Sequence, residues 1–183
     1  MTAAAQQPRR ADNEQRVAVV FDGAHCDRMR KALDLRIQFG ELLDHLVGQR
    51  QLAAAVYHRD VRDGAERKRL ASFIQRLKTI GIQTCGASPE EMDPGRRERY
   101  GTNLVELAVD TLRSAAELDC AVLVAGDRKL RPLVVALQAR GVHVVIATAL
   151  LLPDAIVASD HLLDAADEVQ DLTAFLTATF AQT

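Results

Sequence analysis

The stretch Val17-Ala18-Val19-Val20-Phe21-Asp22-Gly23 decides the fold class. A run of consecutive apolar residues is what a strand buried on both faces of a parallel sheet requires. The aspartate that ends it places a carboxylate at the carboxyl edge, where such sheets bind ligands. Ala121-Val122-Leu123-Val124-Ala125-Gly126-Asp127 repeats the layout. Two strands ending in acids would bring two negative charges into one crevice. Like charges that close need a cation, so the pattern predicts a divalent metal site.

Working outward, short apolar runs bounded by turn residues predict strands at Val17–Phe21, Leu52–Tyr57, Ile80–Thr84, Ala121–Ala125 and Val142–Ala147. Between them, three- and four-residue apolar spacing predicts helices over Leu35–Val47, Ala65–Lys78, Asn103–Leu118 and Leu130–Arg140. Gly81 and Gly141 read as helix C-caps, and Pro132 falls in a first turn, where its missing N–H costs little. The alternation predicts an α/β fold: a single three-layer α/β/α domain on a mostly parallel five- or six-stranded sheet with right-handed crossovers. Residues 1–16 read as a disordered tail and 17–180 as the domain. The polar, turn-rich segment Gly86–Tyr100 reads as a binding loop, and Asp160–Phe180 as one or two amphipathic helices.

Composition narrows the function classes. The 183 residues are 48% apolar and 26% charged, ordinary for a globular domain. No apolar run approaches the roughly 18 residues of a membrane span, and the polar N-terminus is no secretory signal. A net charge of −2 does not advertise nucleic-acid binding, yet leaves room for a local basic face. The three cysteines, Cys26, Cys85 and Cys120, fit no zinc spacing and predict reduced thiols in a cytoplasmic protein. Cys120 reads as core, and Cys26 has no neighbouring base to make it a nucleophile. His45, His58, His143 and His161 are scattered and predict no metal cluster.

Asp110 is a third acid, on the helix before the second acid-ending strand. Asn103, Glu106, Asp110, Arg113 and Glu117 share one helix face. Glu106 and Glu117 read as solvated, and Asp110 as approaching the crevice. Arg59 and Arg62 follow the second strand, Arg96, Arg97 and Arg99 lie in the long loop, and Arg128, Lys129 and Arg131 follow Asp127. Together they would grip a phosphodiester backbone in a salt-dependent way. The opposing reading pairs them with the interspersed acids Asp60, Asp63, Glu90, Glu91, Asp93 and Glu98. Aromatic residues are only 4%, and just Tyr57 and Tyr100 stand where a base would stack. A phosphatase of the D-x-D type is disfavoured by Ala24, and a dinucleotide fold by the absence of G-x-G-x-x-G.

Three segments carry a family resemblance: Val20-Phe21-Asp22-Gly23-Ala24-His25, Gly101–Asp110 (GTNLVELAVD) and Leu123–Leu133 (LVAGDRKLRPL). In order and spacing they resemble the motifs of the NYN domain family, the LabA-like branch of the PIN-like nuclease superfamily. The closing segment Ser159–Leu172 is similar to the family's last motif. The resemblance implies a PIN-like fold and cleavage of RNA by a water activated by Mg²⁺ or Mn²⁺, with Asp22, Asp110 and Asp127 as catalytic acids and metal ligands. His25, Asn103 and Lys129 are accessory candidates. His25 replaces the family's Asn, Leu104 an acid, Lys129 a second acid and Leu130 an aromatic residue. Two readings therefore stand side by side. One is a metal-dependent ribonuclease. The other is a catalytically impaired module that binds RNA or a protein partner in a regulatory role, with Lys129 as counter-charge to the acids. The apolar run Ala147–Leu152 offers a surface for a protein partner or self-association.

Overall fold

The structure is a computed structural model that describes residues 11–61, 63–86, 102–153 and 156–180. The first strand, β1 (Arg16–Asp22), leads directly into α1 (Gly23–Ala32), followed by α2 (Phe39–Val47) and β2 (Gln51–His58). Next come α3 (Gly64–Thr79), β3 (Gln83–Cys85), α4 (Leu104–Ser114) and β4 (Cys120–Val124). The chain ends with α5 (Arg131–Gln138), β5 (His143–Thr148), α6 (Asp160–Leu163), β6 (Glu168–Asp171) and α7 (Thr173–Phe180). All pairings are parallel, in the order β3-β2-β1-β4-β5-β6. This is the expected three-layer α/β/α architecture with six strands.

Strand alternation sorts the core into two faces. Val17, Val19 and Phe21 pack with Met29, Leu42, Leu46, Leu77 and Leu176 under α1, α2, α3 and α7. Ala18 and Val20 pack with Leu107, Leu133, Leu137 and Leu162 under α4, α5 and α6. Side chains of period two on a doubly covered sheet bury both ways, which is why β1 reads as an unbroken apolar run. Gly81 and Gly141 adopt φ of 82° and 80° just past α3 and α5, as C-caps require. Pro132 lies in the first turn of α5.

Several local expectations are corrected. A helix, α1, occupies the turn after β1; its sequence GAHCDRMRKA carries too few apolar residues to show a stripe, and Cys26 and Met29 join it to the core beside the buried His25. The tail from Asp160 is not purely helical, because the short edge strand β6 separates α6 from α7. The third strand starts later than Ile80, since α3 runs to Thr79 and Ile80 caps it. Tyr57 is no base-stacking platform either. It is buried, and packs with Phe21, Phe39 and Phe73 at ring-centroid distances of 5.4–6.4 Å. The run Ala147–Leu152 is mostly interior: Ala147 and Ala149 are buried, Leu152 packs on the core, and Leu151 projects into solvent. Residues 1–10 of the expected tail, and the expected loop beyond Gly86 up to Tyr100, lie outside the described residues. Among the described residues, no helix is long and apolar enough to cross a membrane.

One glycine is demanded by the β1–α1 turn. A Cβ at Gly23 would sit 2.8 Å from the His58 carbonyl oxygen and 2.8 Å from Tyr57 ring carbons. Both are fixed by sheet and core, so neither yields easily. Gly23→Ala is expected to destabilise the domain by about 1–3 kcal/mol, the usual range for overpacking. Urea unfolding measures this, and an unchanged midpoint would contradict the close packing.

The candidate acidic site at the strand ends

In the order β3-β2-β1-β4-β5-β6 the chain reverses its direction of travel between β1 and β4. Open α/β sheets bind ligands at that switch point, beyond the carboxyl ends of the strands. Asp22 ends β1 there and is only 2% exposed. Its Oδ1 accepts hydrogen bonds from the Ala24 and His25 amides at 2.9 and 3.2 Å, capping α1. The helix N-terminus thus stabilises the carboxylate. Thr102 locks the neighbourhood, accepting from the Ala24 amide at 3.1 Å and donating to the His58 carbonyl at 3.0 Å.

Asp127 follows β4, whose Val124 pairs with Phe21 of β1. Its Oδ1 accepts from the Lys129 amide at 2.9 Å and opens a single 3-10 turn, Arg128–Leu130, that runs into α5. Asp22 and Asp127 thus stand at the ends of neighbouring strands. The side chains of Arg128 and Lys129 are exposed, whereas Leu130 is buried in the core of the second face. Among the described residues, no ion pair joins Lys129 to Asp22, Asp110 or Asp127.

Asp110 arrives from α4 and is half-buried, with Oδ1 accepting from Arg113 at 3.2 Å. Its charge, like that of Asp22, reaches His58. Register places Asp22 opposite His58, and His58 opposite Cys85, so three strand ends form a row. One ligand atom each of His58, Cys85 and Asp110 lies within 4.8 Å of the others. Burial lowers the His58 pKa, against the charges of Asp110 and Asp22, which raise it. Burial also raises the Cys85 thiol, helped by Asp110 and Glu106. The expectation that the histidines and cysteines form no cluster is therefore corrected for His58 and Cys85. Separate elements bring them together, so no linear spacing announces them. Glu106 is exposed, as expected, but close enough for its charge to reach Cys85.

The accessory candidates have structural employment. His25 is buried, and its Nε2 forms a 2.9 Å hydrogen bond with Thr148 Oγ1 at the end of β5. Gly126 packs against its ring so closely that a Cβ there would lie 2.5 Å from His25 Cε1. Burial above all lowers the His25 pKa from 6.5 to about 4, Arg28 adding and the Asp22 charge opposing. Asn103 caps α4, its Oδ1 accepting from the Val105 and Glu106 amides at 3.1 and 3.4 Å. Leu104, where the family pattern has an acid, packs against the second-face core.

Of the basic residues expected to grip a backbone, Arg62, Arg96, Arg97 and Arg99 lie outside the described residues. Arg59 is held by internal carboxylates: it pairs with Asp27, and with the buried Glu66 at 3.3 Å. Arg69 supports Glu66 from the surface at 3.2 Å. Arg59→Ala is expected to destabilise the domain by about 2 kcal/mol, less than a fully buried pair because Asp27 is partly solvated. Urea unfolding tests this; a loss near zero would mean that solvent already screens the pair. A separate cavity of about 850 Å³, lined by Phe39, Phe73, Arg36 and Arg76 among others, opens on the α1–α2–α3 face and includes none of the three acids.

The fold is similar to that of a protein of unknown function from Vibrio parahaemolyticus, at 18% identity and a TM-score of 0.69, covering 89% of this chain and 96% of that one. A homoserine dehydrogenase from S. aureus aligns over 86% of this chain and 33% of its own, at 13% identity; its TM-score of 0.34 carries no weight. No curated protein matches significantly. The profile of the NYN domain matches residues 16–173, so the chain belongs to the NYN domain family.

Proposed function

We propose that this domain hydrolyses phosphodiester bonds of RNA with the help of Mg²⁺ or Mn²⁺ held by Asp22 and Asp127, with Asp110 at the margin of the site. The observation that carries this reading is Asp22, a carboxylate only 2% exposed at the switch point of the sheet. Among the described residues it has no cation partner, and its two cap bonds engage one oxygen. A buried carboxylate so placed is a strong anchor for a cation, because low dielectric weakens screening.

The donor set fits the ion. Mg²⁺ takes hard oxygen ligands and commonly uses one or two carboxylates, completing its shell with water and substrate phosphates. Asp127 and Asp22 each have one oxygen engaged by backbone amides, which fixes the carboxylate plane and leaves the second oxygen outside the cap. When bound, the ion would activate a water and neutralise charge building on the scissile phosphate. The chain itself orients the two carboxylates by capping and presents Arg128 and Lys129 toward solvent beside Asp127, where they would meet the anionic backbone.

A second reading keeps a specific observation. Leu104 is apolar and core-packed, and Lys129 is a cation, at two positions where the family pattern carries acids. On that reading the domain binds RNA, or a protein partner, without cutting. Labelled single-stranded RNA incubated with Mn²⁺ separates the two: metal-dependent cleavage supports hydrolysis, and salt-sensitive binding with intact RNA supports the regulatory module. The exposed Lys129 favours hydrolysis, since a counter-charge replacing the metal would sit in an ion pair with the acids.

A further inference from the structure

We propose that His58, Cys85 and Asp110 form a binding site for a thiophilic divalent transition-metal ion of the Zn²⁺ class, separate in donor chemistry from the carboxylate pair Asp22 and Asp127. Three elements converge on it. His58 ends β2, Cys85 ends the neighbouring β3, and Asp110 comes down from α4. Their ligand atoms all lie within 4.8 Å of one another. Metal bonds of about 2.0–2.3 Å would set tetrahedral ligand atoms about 3.6 Å apart, so side-chain movements of roughly an ångström close the set.

A second observation is independent of proximity. His58 is only 2% exposed, yet among the described residues its Nδ1 has no hydrogen-bond partner. An unsatisfied buried polar atom costs about 1–3 kcal/mol. An imidazole with a nitrogen in that state has spare ligand capacity, and one of its ring nitrogens stands beside a thiol and a carboxylate.

The donor set also selects the ion. Imidazole and thiolate favour Zn²⁺ and its neighbours, whereas Mg²⁺ prefers oxygen alone. A thiolate and a carboxylate together balance the charge of one divalent ion. Asp110 Oδ1 accepts a hydrogen bond from Arg113, and Oδ2 would bind the metal. Three protein ligands leave a fourth position for water or a phosphate oxygen, the arrangement of reactive rather than purely structural zinc. The site shares Asp110 with the margin of the proposed nuclease site, but neither Asp22 nor Asp127 is a ligand, so it stands whether or not that reading holds.

Metal-stripped protein titrated with Co²⁺, a spectroscopic substitute for Zn²⁺, tests the proposal. The expected result is one Co²⁺ per chain bound with a thiolate-to-cobalt charge-transfer band in the near ultraviolet, any Co²⁺ taken up by the carboxylate pair adding no such band. Cys85→Ser abolishes the band, His58→Gln weakens Co²⁺ binding roughly tenfold or more, and Asp127→Asn leaves both unchanged. A wild-type measurement avoids any folding defect of the variants: Zn²⁺, but not Mg²⁺, slows alkylation of Cys85 by iodoacetamide, followed by peptide mass. Cys26 and Cys120 are buried and serve as internal references. No charge-transfer band, a band that survives Cys85→Ser, or Cys85 alkylated as fast with Zn²⁺ as without it would overturn the site. Loss of RNA cleavage in Asp127→Asn with the cobalt band intact separates this site from the nuclease reading.

Discussion

Asp22→Asn is expected to reduce Mn²⁺-dependent RNA cleavage by roughly 100-fold or more, about 2.7 kcal/mol of transition-state stabilisation. The same change is expected to move stability by less than about 1 kcal/mol. Asn ranks with Asp as an N-cap, and its amide oxygen can still accept from the Ala24 and His25 amides that Asp22 now caps. What is lost is the charge. The variant therefore removes the cation anchor while keeping the β1–α1 corner intact. Calorimetry with Mn²⁺ should show weakened binding in parallel. Cleavage equal to wild type in a folded Asp22→Asn protein would mean that the activity arises elsewhere, and with it the nuclease reading of this crevice would fall.

Acid sensitivity set by His25 is the second large effect. Its pKa falls from 6.5 in the unfolded chain to about 4 in the folded one, mainly through burial. Between those values the unfolded state binds a proton that the native state refuses, so stability rises with pH across that window. The full contribution is present above about pH 6.5 and is lost as the pH falls toward 4. The shift corresponds to up to about 3 kcal/mol. His58, also lowered by burial, acts with the same sign. Urea midpoints measured from pH 7 to pH 4 should fall steeply in the wild type. His25→Asn, which puts the family's residue at this position, should flatten most of that slope. An equally steep slope in the variant would mean that His25 accepts its proton without disturbing the Thr148 contact.

The legible part of this protein lay in local patterns. The apolar run into Asp22 made a buried parallel strand unavoidable, and its repeat at Ala121–Asp127 placed a second acid on the same edge. The motif spacing carried the family. Where expectation failed, the signal was weak for a physical reason. Helix α1 is only thinly amphipathic, and its start is decided by the Asp22 cap rather than by a stripe. Strand β6, with sequence EVQD, forms because β5 offers it an edge to pair with. Arg59 looked free to meet phosphate because Asp27 and Glu66 are distant in sequence or hidden on another element. Tyr57 looked available because aromatic clustering is invisible along the chain.

The sequence by itself determined the layer type, the alternation of elements and which strands end in carboxylates, because side-chain period and turn chemistry are local properties. Only the tertiary structure decided the strand order that seats Asp22 beside β4 on one flank and beside His58 and Cys85 on the other. Strand order depends on long-range packing of both faces at once, and so do the neighbours and charges around Asp22 and the His58 nitrogen that has no partner among the described residues.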